Sequence, residues 1–243
     1  MGVNWQRGVL RLLNVANHPV EVVAVRDITP WYRRITFAAP ELLEVVEPFP
    51  TLWLRLWIPN RNGTLVQRGY TFVGIDRSDA TFTLDFVLHD VSGPAGDWAR
   101  AATVGATAEV ALTPAKISAP DGTRTMILAG DATALPAINT WLEHLPADVR
   151  AEVYLADSHP DRADLPVVDR ANTELTWVDA TLDGAPLAAA VAATGTGPAG
   201  VYAWAAGEKN LVKALRPVFA ERLGLDRRQR FTQFYWIRGR AAG

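Results

Sequence analysis

Two patterns of apolar residues divide this chain and restrict it to a fold with two dissimilar parts. Between Val20 and Leu112, turn signals separate six short runs rich in β-branched and aromatic residues: VEVVAVRDI, RRITFAA, LWLRLWIP, GYTFVGI, TFTLDFVLH and ATAEVAL. Runs of this length and spacing predict a small antiparallel barrel or sandwich. One helical segment, residues 96–102, interrupts them.

After Pro114 the pattern changes to an alternation of strands and helices. The predicted strands are TMILAG, AEVYLAD, ELTWVDA, GVYAWAAG and RFTQFYWI, and the predicted helices are DATALPAINTWLEHL, PLAAAVAA and EKNLVKALRPVFAERLG. Parallel neighbours need crossover connections, so this alternation predicts a parallel sheet. The stretch SAPDGT is the expected linker. We expect Pro217 to distort the last helix and Gly224 to end it.

Composition excludes several classes of function. The chain has no cysteine, which rules out disulfides, thiolate-bound zinc, iron–sulfur clusters and cysteine nucleophiles, so redox chemistry would need an organic cofactor. A formal net charge of −2 gives no global reason to bind nucleic acid or an anionic membrane. No run of apolar residues is long enough to span a bilayer, and Arg7 and Arg11 interrupt any secretory signal. A cytoplasmic monomer is the expectation.

The first candidate site is the segment Arg68-Gly69-Tyr70-Thr71, expected at the start of a strand. An arginine pairs with phosphate, a tyrosine ring can lie against a flavin, and a threonine hydroxyl can bond the ring edge. An ordinary turn leading into a strand explains the same four residues.

The second candidate is the loop after the strand that precedes His89. Its small residues, including Gly93, Pro94 and Ala95, lead into a helix anchored by Trp98, and a helix N-terminus favours a phosphate. A plain loop is the alternative, and His89 can equally satisfy a structural hydrogen bond.

The third candidate follows the first strand of the second part, where an open parallel sheet binds nucleotides. Asp131 and Thr133 lie there, although the segment is not a G-x-G-x-x-G fingerprint. Asp157, Ser158 and Arg162 follow the next strand, where a ribose or 2′-phosphate would lie; an acid and a base together leave NADH and NADPH undecided.

The chain end supplies the last candidates, Tyr235 and Trp236, in a predicted strand where aromatic residues also serve as core. A metal site is not expected, because no metal-ligand spacing relates the histidines at His18, His89, His144 and His159.

In order and spacing, RGYT, HDVSGPAGDWA, LAGDATALPAI, WAAGE and FYWIRG resemble the siderophore-interacting protein family, FAD-dependent ferric-siderophore reductases related to the ferredoxin:NADP reductases. The resemblance runs from about Val20 to Gly239, and LAGDATALPAI and GPAGDWA are its most specific parts. It implies a six-stranded antiparallel FAD-binding barrel, residues 1–117, followed by a parallel-sheet NAD(P)H-binding α/β lobe, residues 118–243.

The resemblance also implies a reaction: electrons pass from NADH or NADPH through FAD to Fe(III) in a siderophore, and Fe(II) is released. The expected cofactor contacts are Arg68, Tyr70, Thr71, His89, Gly93, Pro94, Ala95, Trp98, Asp131, Thr133, Tyr235 and Trp236. Ferric siderophores are often anionic, so the expected substrate contacts are the basic residues Lys116, Arg100 and Arg238. No catalytic residue is assigned.

The chain departs from the family pattern at three places. Val73 stands where the R-x-Y-T-x-R motif ends in arginine, Ala132 replaces a glutamate, and the loop from Leu112 to Lys116 keeps only the proline of a G-P-R-G stretch. These departures leave two alternatives open. One is an enzyme of the same fold redirected to a biosynthetic reaction, and the other is a non-enzymatic siderophore-binding or flavin-binding protein.

Overall fold

The structure, a computed structural model, describes residues 16–60, 62–89, 93–113 and 116–239. The chain divides into two compact units between Lys116 and Ile117, here called unit 1 and unit 2. Three features of the sequence prediction lie outside the described residues: the segment containing Arg7 and Arg11, residues 90–92 of the second candidate loop, and Pro114 with its neighbour Ala115.

Unit 1 is built on one antiparallel sheet of seven strands in the order β4-β3-β7-β1-β2-β6-β5. The strands are β1 (Asn17–Thr29), β2 (Tyr32–Ala38), β3 (Trp53–Pro59), β4 (Leu65–Thr71), β5 (Gly74–Asp76), β6 (Thr81–Val87) and β7 (Thr107–Thr113). In the described part of unit 1, two helices accompany them, α1 (Pro40–Val45) and α2 (Pro94–Ala101).

The predicted count of six strands is wrong by one, because the run GYTFVGI is divided between two partner strands. The Phe72 amide donates to the Leu52 carbonyl at 3.1 Å, beside β3, whereas the Val73 amide donates to the Thr83 carbonyl of β6 at 2.9 Å. The strands β4 and β5 are the two edges of the sheet, yet only these two residues separate them. The edges of the sheet therefore meet at Phe72 and Val73.

The core of unit 1 follows from strand alternation. Leu54, Leu56 and Ile58 of β3 are fully buried, in the period of two expected of a strand with one apolar face. Helix α1, which the sequence did not predict, has a proline in its first turn and two buried leucines, Leu42 and Leu43.

A buried ion pair joins β2 and β6. Asp85 accepts two hydrogen bonds from the Arg34 guanidinium, at 2.7 and 2.8 Å, and one from the Tyr32 hydroxyl at 3.0 Å. The fork geometry satisfies both carboxylate oxygens, which is what a carboxylate this far from water requires.

Unit 2 contains the parallel sheet that the sequence predicts, with five strands in the order β10-β9-β8-β11-β12. These are β8 (Thr125–Asp131), β9 (Arg150–Ala156), β10 (Thr173–Val178), β11 (Val201–Glu208) and β12 (Arg230–Trp236), and the helices are α3 (Leu135–His144), α4 (Ala185–Ala192) and α5 (Lys209–Pro217). The strand order reverses between β8 and β11, which makes their carboxyl ends a topological switch point.

The end of α5 confirms the expectation for Pro217. The α-helix stops at Pro217 and continues as a π-helical turn, Val218–Arg222, because proline has no amide hydrogen to continue the regular ladder. Gly224, with φ of +65°, follows this turn in the left-handed region that favours glycine. Every helix in the described ranges is too short or too polar to span a bilayer.

Candidate functional site

Arg68, Tyr70 and Thr71 lie at the carboxyl end of β4, not at the start of a strand as predicted. The strand begins earlier because the β3–β4 hairpin is closed by the Asn60 side chain, whose Oδ1 accepts from the amides of Asn62 and Thr64, both at 3.0 Å. The hairpin then pairs β4 with the whole of β3.

Arg68 is a half-buried cation whose charge has no ion-pair partner among the described residues. Its Nη1 donates to the Gln67 carbonyl at 2.6 Å, and among the described residues no carboxylate lies within ion-pair distance of the guanidinium. Burial lowers the pKa of Arg68, because water no longer solvates the charge fully. A guanidinium with open donors in a partly dry place favours an anion such as a phosphate.

Tyr70 belongs to an aromatic cluster that connects β4 with α2. Its ring centroid lies 4.4 Å from that of Phe86, which in turn lies 6.0 Å from the Trp98 indole. Burial raises the pKa of the Tyr70 phenol, so the hydroxyl is neutral. The structure thus brings together, through Phe86, two aromatic residues predicted at separate candidate sites.

Thr71 is buried opposite Trp53 on β3. The glycine of the motif, Gly69, has a packing reason of its own, because a Cβ there would lie 3.3 Å from the Trp53 ring.

The second candidate segment is held by α2. Gly93 is its extended N-cap, Pro94 and Ala95 open the helix, and His89 is exposed just beyond β6. Arg100 donates to the His89 carbonyl and lies 3.7 Å from the Asp97 carboxylate. The guanidinium of Arg100 is therefore engaged within its own segment, which reduces what it offers to a substrate.

Lys116 ends unit 1 as an exposed residue. Its ammonium lies 5.1 Å from the centroid of the Phe49 ring and 4.0 Å from the Glu47 carboxylate. Both partners are near the surface, so these contacts leave the charge accessible.

In unit 2 the Asp131 carboxylate ties three strand ends together at the switch point. Its Oδ1 accepts from the amide of Thr133 at 2.9 Å and from that residue's hydroxyl. Its Oδ2 accepts from the Glu208 amide at 2.7 Å and from the Trp236 indole Nε1 at 3.0 Å. Burial raises the pKa of Asp131, and these four hydrogen bonds oppose that rise. Two predicted contacts, Thr133 and Trp236, thus both donate to a third, Asp131.

Two glycines make this arrangement possible. A Cβ on Gly130 would meet the Ala206 carbonyl and lie 2.5 Å from the Ala134 Cβ. Gly207 has φ of +136°, and a Cβ there would lie 2.7 Å from an Asp131 carboxylate oxygen. Side chains at either position would force β8 and β11 apart at the switch point.

Glu208 is the buried last residue of the segment WAAGE, to which the sequence analysis assigned no role of its own. It is the N-cap of α5 and accepts from the amides of Asn210 and Leu211, and its Oε1 accepts from the Arg238 amide at 3.2 Å. The available signal was a carboxylate between a strand and a helix, the preferred place for a cap. Tyr235 is half-buried beside it, and the exposed Arg238 guanidinium lies 5.5 Å from the Trp236 ring.

The residues predicted after the second strand of unit 2 connect the loop after β9 with the loop after β10. Asp157 is buried, and its Oδ1 accepts from the His159 amide at 2.7 Å and the His159 Nδ1 at 2.9 Å. Ser158 Oγ accepts from the Ala180 amide at 2.9 Å. Arg162 lies 2.7 Å from the Asp179 carboxylate. Asp157, Ser158 and Arg162 are therefore close together at the carboxyl edge of the sheet.

A polar cavity of about 520 Å³ lies toward the opposite, amino edge of the sheet and contains Glu152. This carboxylate accepts from the hydroxyls of Tyr154 at 3.1 Å, Thr194 at 2.6 Å and Thr196 at 2.7 Å. Burial raises the pKa of Glu152, but these hydrogen bonds and the Arg150 guanidinium at 3.5 Å outweigh it, and the net shift is downward. The cluster fastens the loop after α4 to β9.

Comparison with known families gives two matches. Residues 123–239 match the family described as siderophore-interacting protein, and residues 53–116 match the siderophore-interacting FAD-binding domain. Only residues 117–122 separate the two matches.

Individual relatives agree with these matches. The chain is 33% identical over 250 residues to the mycobactin import ATP-binding/permease protein IrtA of Mycolicibacterium thermoresistibile; the match covers all of this chain but 27% of that relative. It is 27% identical to the ferric acinetobactin reductase of Acinetobacter baumannii, covering 85% of this chain and 72% of the relative. A solved siderophore utilization protein from T. fusca superposes with a TM-score of 0.81 at 27% identity, over 93% of this chain and 94% of the other.

Proposed function

Because the chain belongs to the siderophore-interacting protein family, we propose that it is a FAD-dependent ferric-siderophore reductase that takes electrons from NADH or NADPH. Residues 1–117 would form the FAD-binding domain and residues 118–243 the nicotinamide-binding domain. The ferric acinetobactin reductase among its relatives supports the reaction. The protein is expected to act as a cytoplasmic monomer.

The observation that carries the proposal is the half-buried, unpaired guanidinium of Arg68 near the Tyr70 aromatic cluster. When bound, FAD would supply the conversion of a two-electron donor into one-electron transfers to iron. Arg68 would hold a cofactor phosphate, and Tyr70 and Thr71 would contact the ring system. The α2 segment, from Gly93 to Trp98, and His89 would complete the site.

Unit 2 supports the nicotinamide role through its topology. An open parallel sheet binds nucleotides in the crevice at the carboxyl ends of its strands, beside the switch point. Asp131, Thr133 and Trp236 would shape this crevice. Arg238, exposed beyond β12, and Lys116 are the cations most open to an anionic siderophore, and Arg100 is a weaker candidate because of its internal contacts.

The test is a flavin spectrum of the purified chain loaded with FAD. We expect NADH or NADPH to bleach the flavin anaerobically, a ferric siderophore to restore its colour, and an Fe(II)-specific chelator to register the product. Ferric mycobactin and ferric acinetobactin come first, because relatives are named for them.

Each remaining outcome has its own meaning. A bound flavin that neither nucleotide bleaches would refute the reductase and favour a redirected enzyme or a carrier. A protein that takes up no FAD would refute the cofactor site and would connect that failure with Val73, which stands in place of the motif's second arginine.

A further inference from the structure

The loop that follows β9 contains the charged residues Asp157 and Arg162, to which the proposed function assigns no role. In a parallel sheet with a switch point, the strand next to the first one ends where the adenosine ribose of a bound dinucleotide lies, and an acid or an arginine at that place distinguishes a 2′-hydroxyl from a 2′-phosphate. In unit 2 this strand is β9, and Asp157 is the first residue after it.

Asp157 presents one carboxylate oxygen, Oδ2, that has no hydrogen-bond partner among the described residues. The residue is only 7% exposed, and both hydrogen bonds that it accepts, from His159, reach Oδ1. Within the described ranges, Oδ2 accepts no hydrogen bond. An ionised carboxylate is an acceptor only, so this oxygen suits a ribose hydroxyl and repels a phosphate.

Arg162, the arginine of the same loop, has its charge balanced. Its Nη1 lies 2.7 Å from the Asp179 carboxylate and also donates to the Asp157 carbonyl. Its guanidinium lies 6.0 Å from the Trp177 ring. Asp179 offsets part of the positive charge that a 2′-phosphate would need, and Asp157 adds a negative one.

We infer that unit 2 selects NADH over NADPH, with Asp157 accepting a hydroxyl of the adenosine ribose and Asp179 keeping Arg162 from serving a 2′-phosphate. This selectivity rests on the nicotinamide-binding role proposed above. It names Asp157 and Asp179 as the residues that determine it.

The first test is calorimetric binding of ADP-ribose and 2′-phospho-ADP-ribose to the full chain, which requires no turnover. We expect ADP-ribose to bind at least about tenfold more tightly, in keeping with the loss of one charge-assisted hydrogen bond and the addition of like-charge repulsion. The ratio of kcat/KM for flavin reduction by NADH and NADPH should show the same preference.

Two variants locate the effect. Asp179→Asn, at a side chain that is 80% exposed, should preserve folding and reduce the preference several-fold by freeing Arg162. Asp157→Asn should reduce it further. The matched control is Asp148→Asn, which removes the same charge from an exposed residue before β9, at the other edge of the sheet, and should leave the ratio unchanged.

Equal binding of the two ligands, or tighter binding of the 2′-phosphorylated one, would overturn the selectivity while leaving the nicotinamide site in place. An unchanged ratio in Asp179→Asn would overturn the role of that residue. If neither ligand binds and neither nucleotide reduces the flavin, the nicotinamide site itself is refuted, and the selectivity with it.

Discussion

The Asp131 network offers the sharpest test of what holds unit 2 together. In Asp131→Asn, the amide oxygen can keep both bonds from Thr133. The amide nitrogen then faces the Glu208 and Trp236 N–H groups, which both donated to Oδ2 in the native chain. The amide nitrogen is itself a donor and cannot accept from these two N–H groups, so both hydrogen bonds are lost.

The magnitude follows from those two bonds. A hydrogen bond to a charged group contributes about 1.5–3 kcal/mol, so the loss of two in Asp131→Asn should destabilise unit 2 by about 3–6 kcal/mol. Trp236→Phe removes one of the bonds and should cost about 1.5–3 kcal/mol. In the Asp131→Asn background the bond from the indole to Asp131 is already lost. The two substitutions should therefore couple by about 1.5–3 kcal/mol.

The assay is hydrogen exchange by mass spectrometry across a urea titration of the full chain, following peptides from β8 and β11 so that unit 2 reports alone. Trp177→Phe, another half-buried tryptophan of the same sheet, is the matched control; it should couple to Asp131→Asn by less than about 0.5 kcal/mol. A coupling that small for Trp236 would refute the idea that Asp131 stabilises the switch point.

Four further outcomes are expected. Arg68→Ala should raise the FAD dissociation constant by about 10- to 100-fold, measured by quenching of flavin fluorescence, whereas the exposed control Arg26→Ala should leave it unchanged. Asp85→Ala should cost unit 1 about 3–5 kcal/mol in exchange protection of β2 and β6, because it leaves the half-buried Arg34 guanidinium and the buried Tyr32 hydroxyl without their acceptor; a smaller loss contradicts the structural role of the pair. The pKa of Glu152 is lowered on folding, so its contribution to stability is complete above pH of about 4.5 and is lost as the pH falls below that value; Glu152→Gln should flatten this acid dependence in unit 2. Gly130→Ala should lower the melting temperature of unit 2, since its Cβ has no space beside Ala134, and an unchanged value would count against the packing described.

Much of unit 2 can be predicted from sequence because its signals are local. Buried parallel strands are continuous apolar runs, such as the β8 segment from Thr125 to Asp131, and the helices α3 and α4 each carry a proline in their first turn. Pro217 acts on the helix that contains it, so its effect also needs no knowledge of distant residues.

The division of the run GYTFVGI between strands β4 and β5 could not be predicted in this way. Phe72 and Val73 are ordinary strand residues, and the break arises because their amides bond to two different strands. Long-range strand pairing therefore decides where the strand breaks. The short helix α1 is equally hard to predict from sequence, because it is stabilised by burial against the rest of unit 1.

The candidate sites show the same limit. Asp131 is separated by 77 residues from Glu208 and by 105 from Trp236, so no local pattern reveals that its carboxylate is already bonded. The position of a residue just after a β-strand predicted which segments lie together at the carboxyl edge of the sheet. It did not predict which side chains remain open to a ligand. Glu208 was part of a candidate segment but received no role, because its role as a cap depends on where β11 ends.

The two units consequently use their motif residues in opposite ways. Arg68 has donors without a partner among the described residues and a partly desolvated charge, so it is available to a ligand. Asp131 receives four hydrogen bonds from its own chain, so a ligand has little to add there, and the open oxygen at the same edge of the sheet belongs to Asp157. Loss of Arg68 should therefore weaken cofactor binding while the fold persists, and loss of Asp131 should first weaken the fold, with nucleotide binding failing only as a consequence.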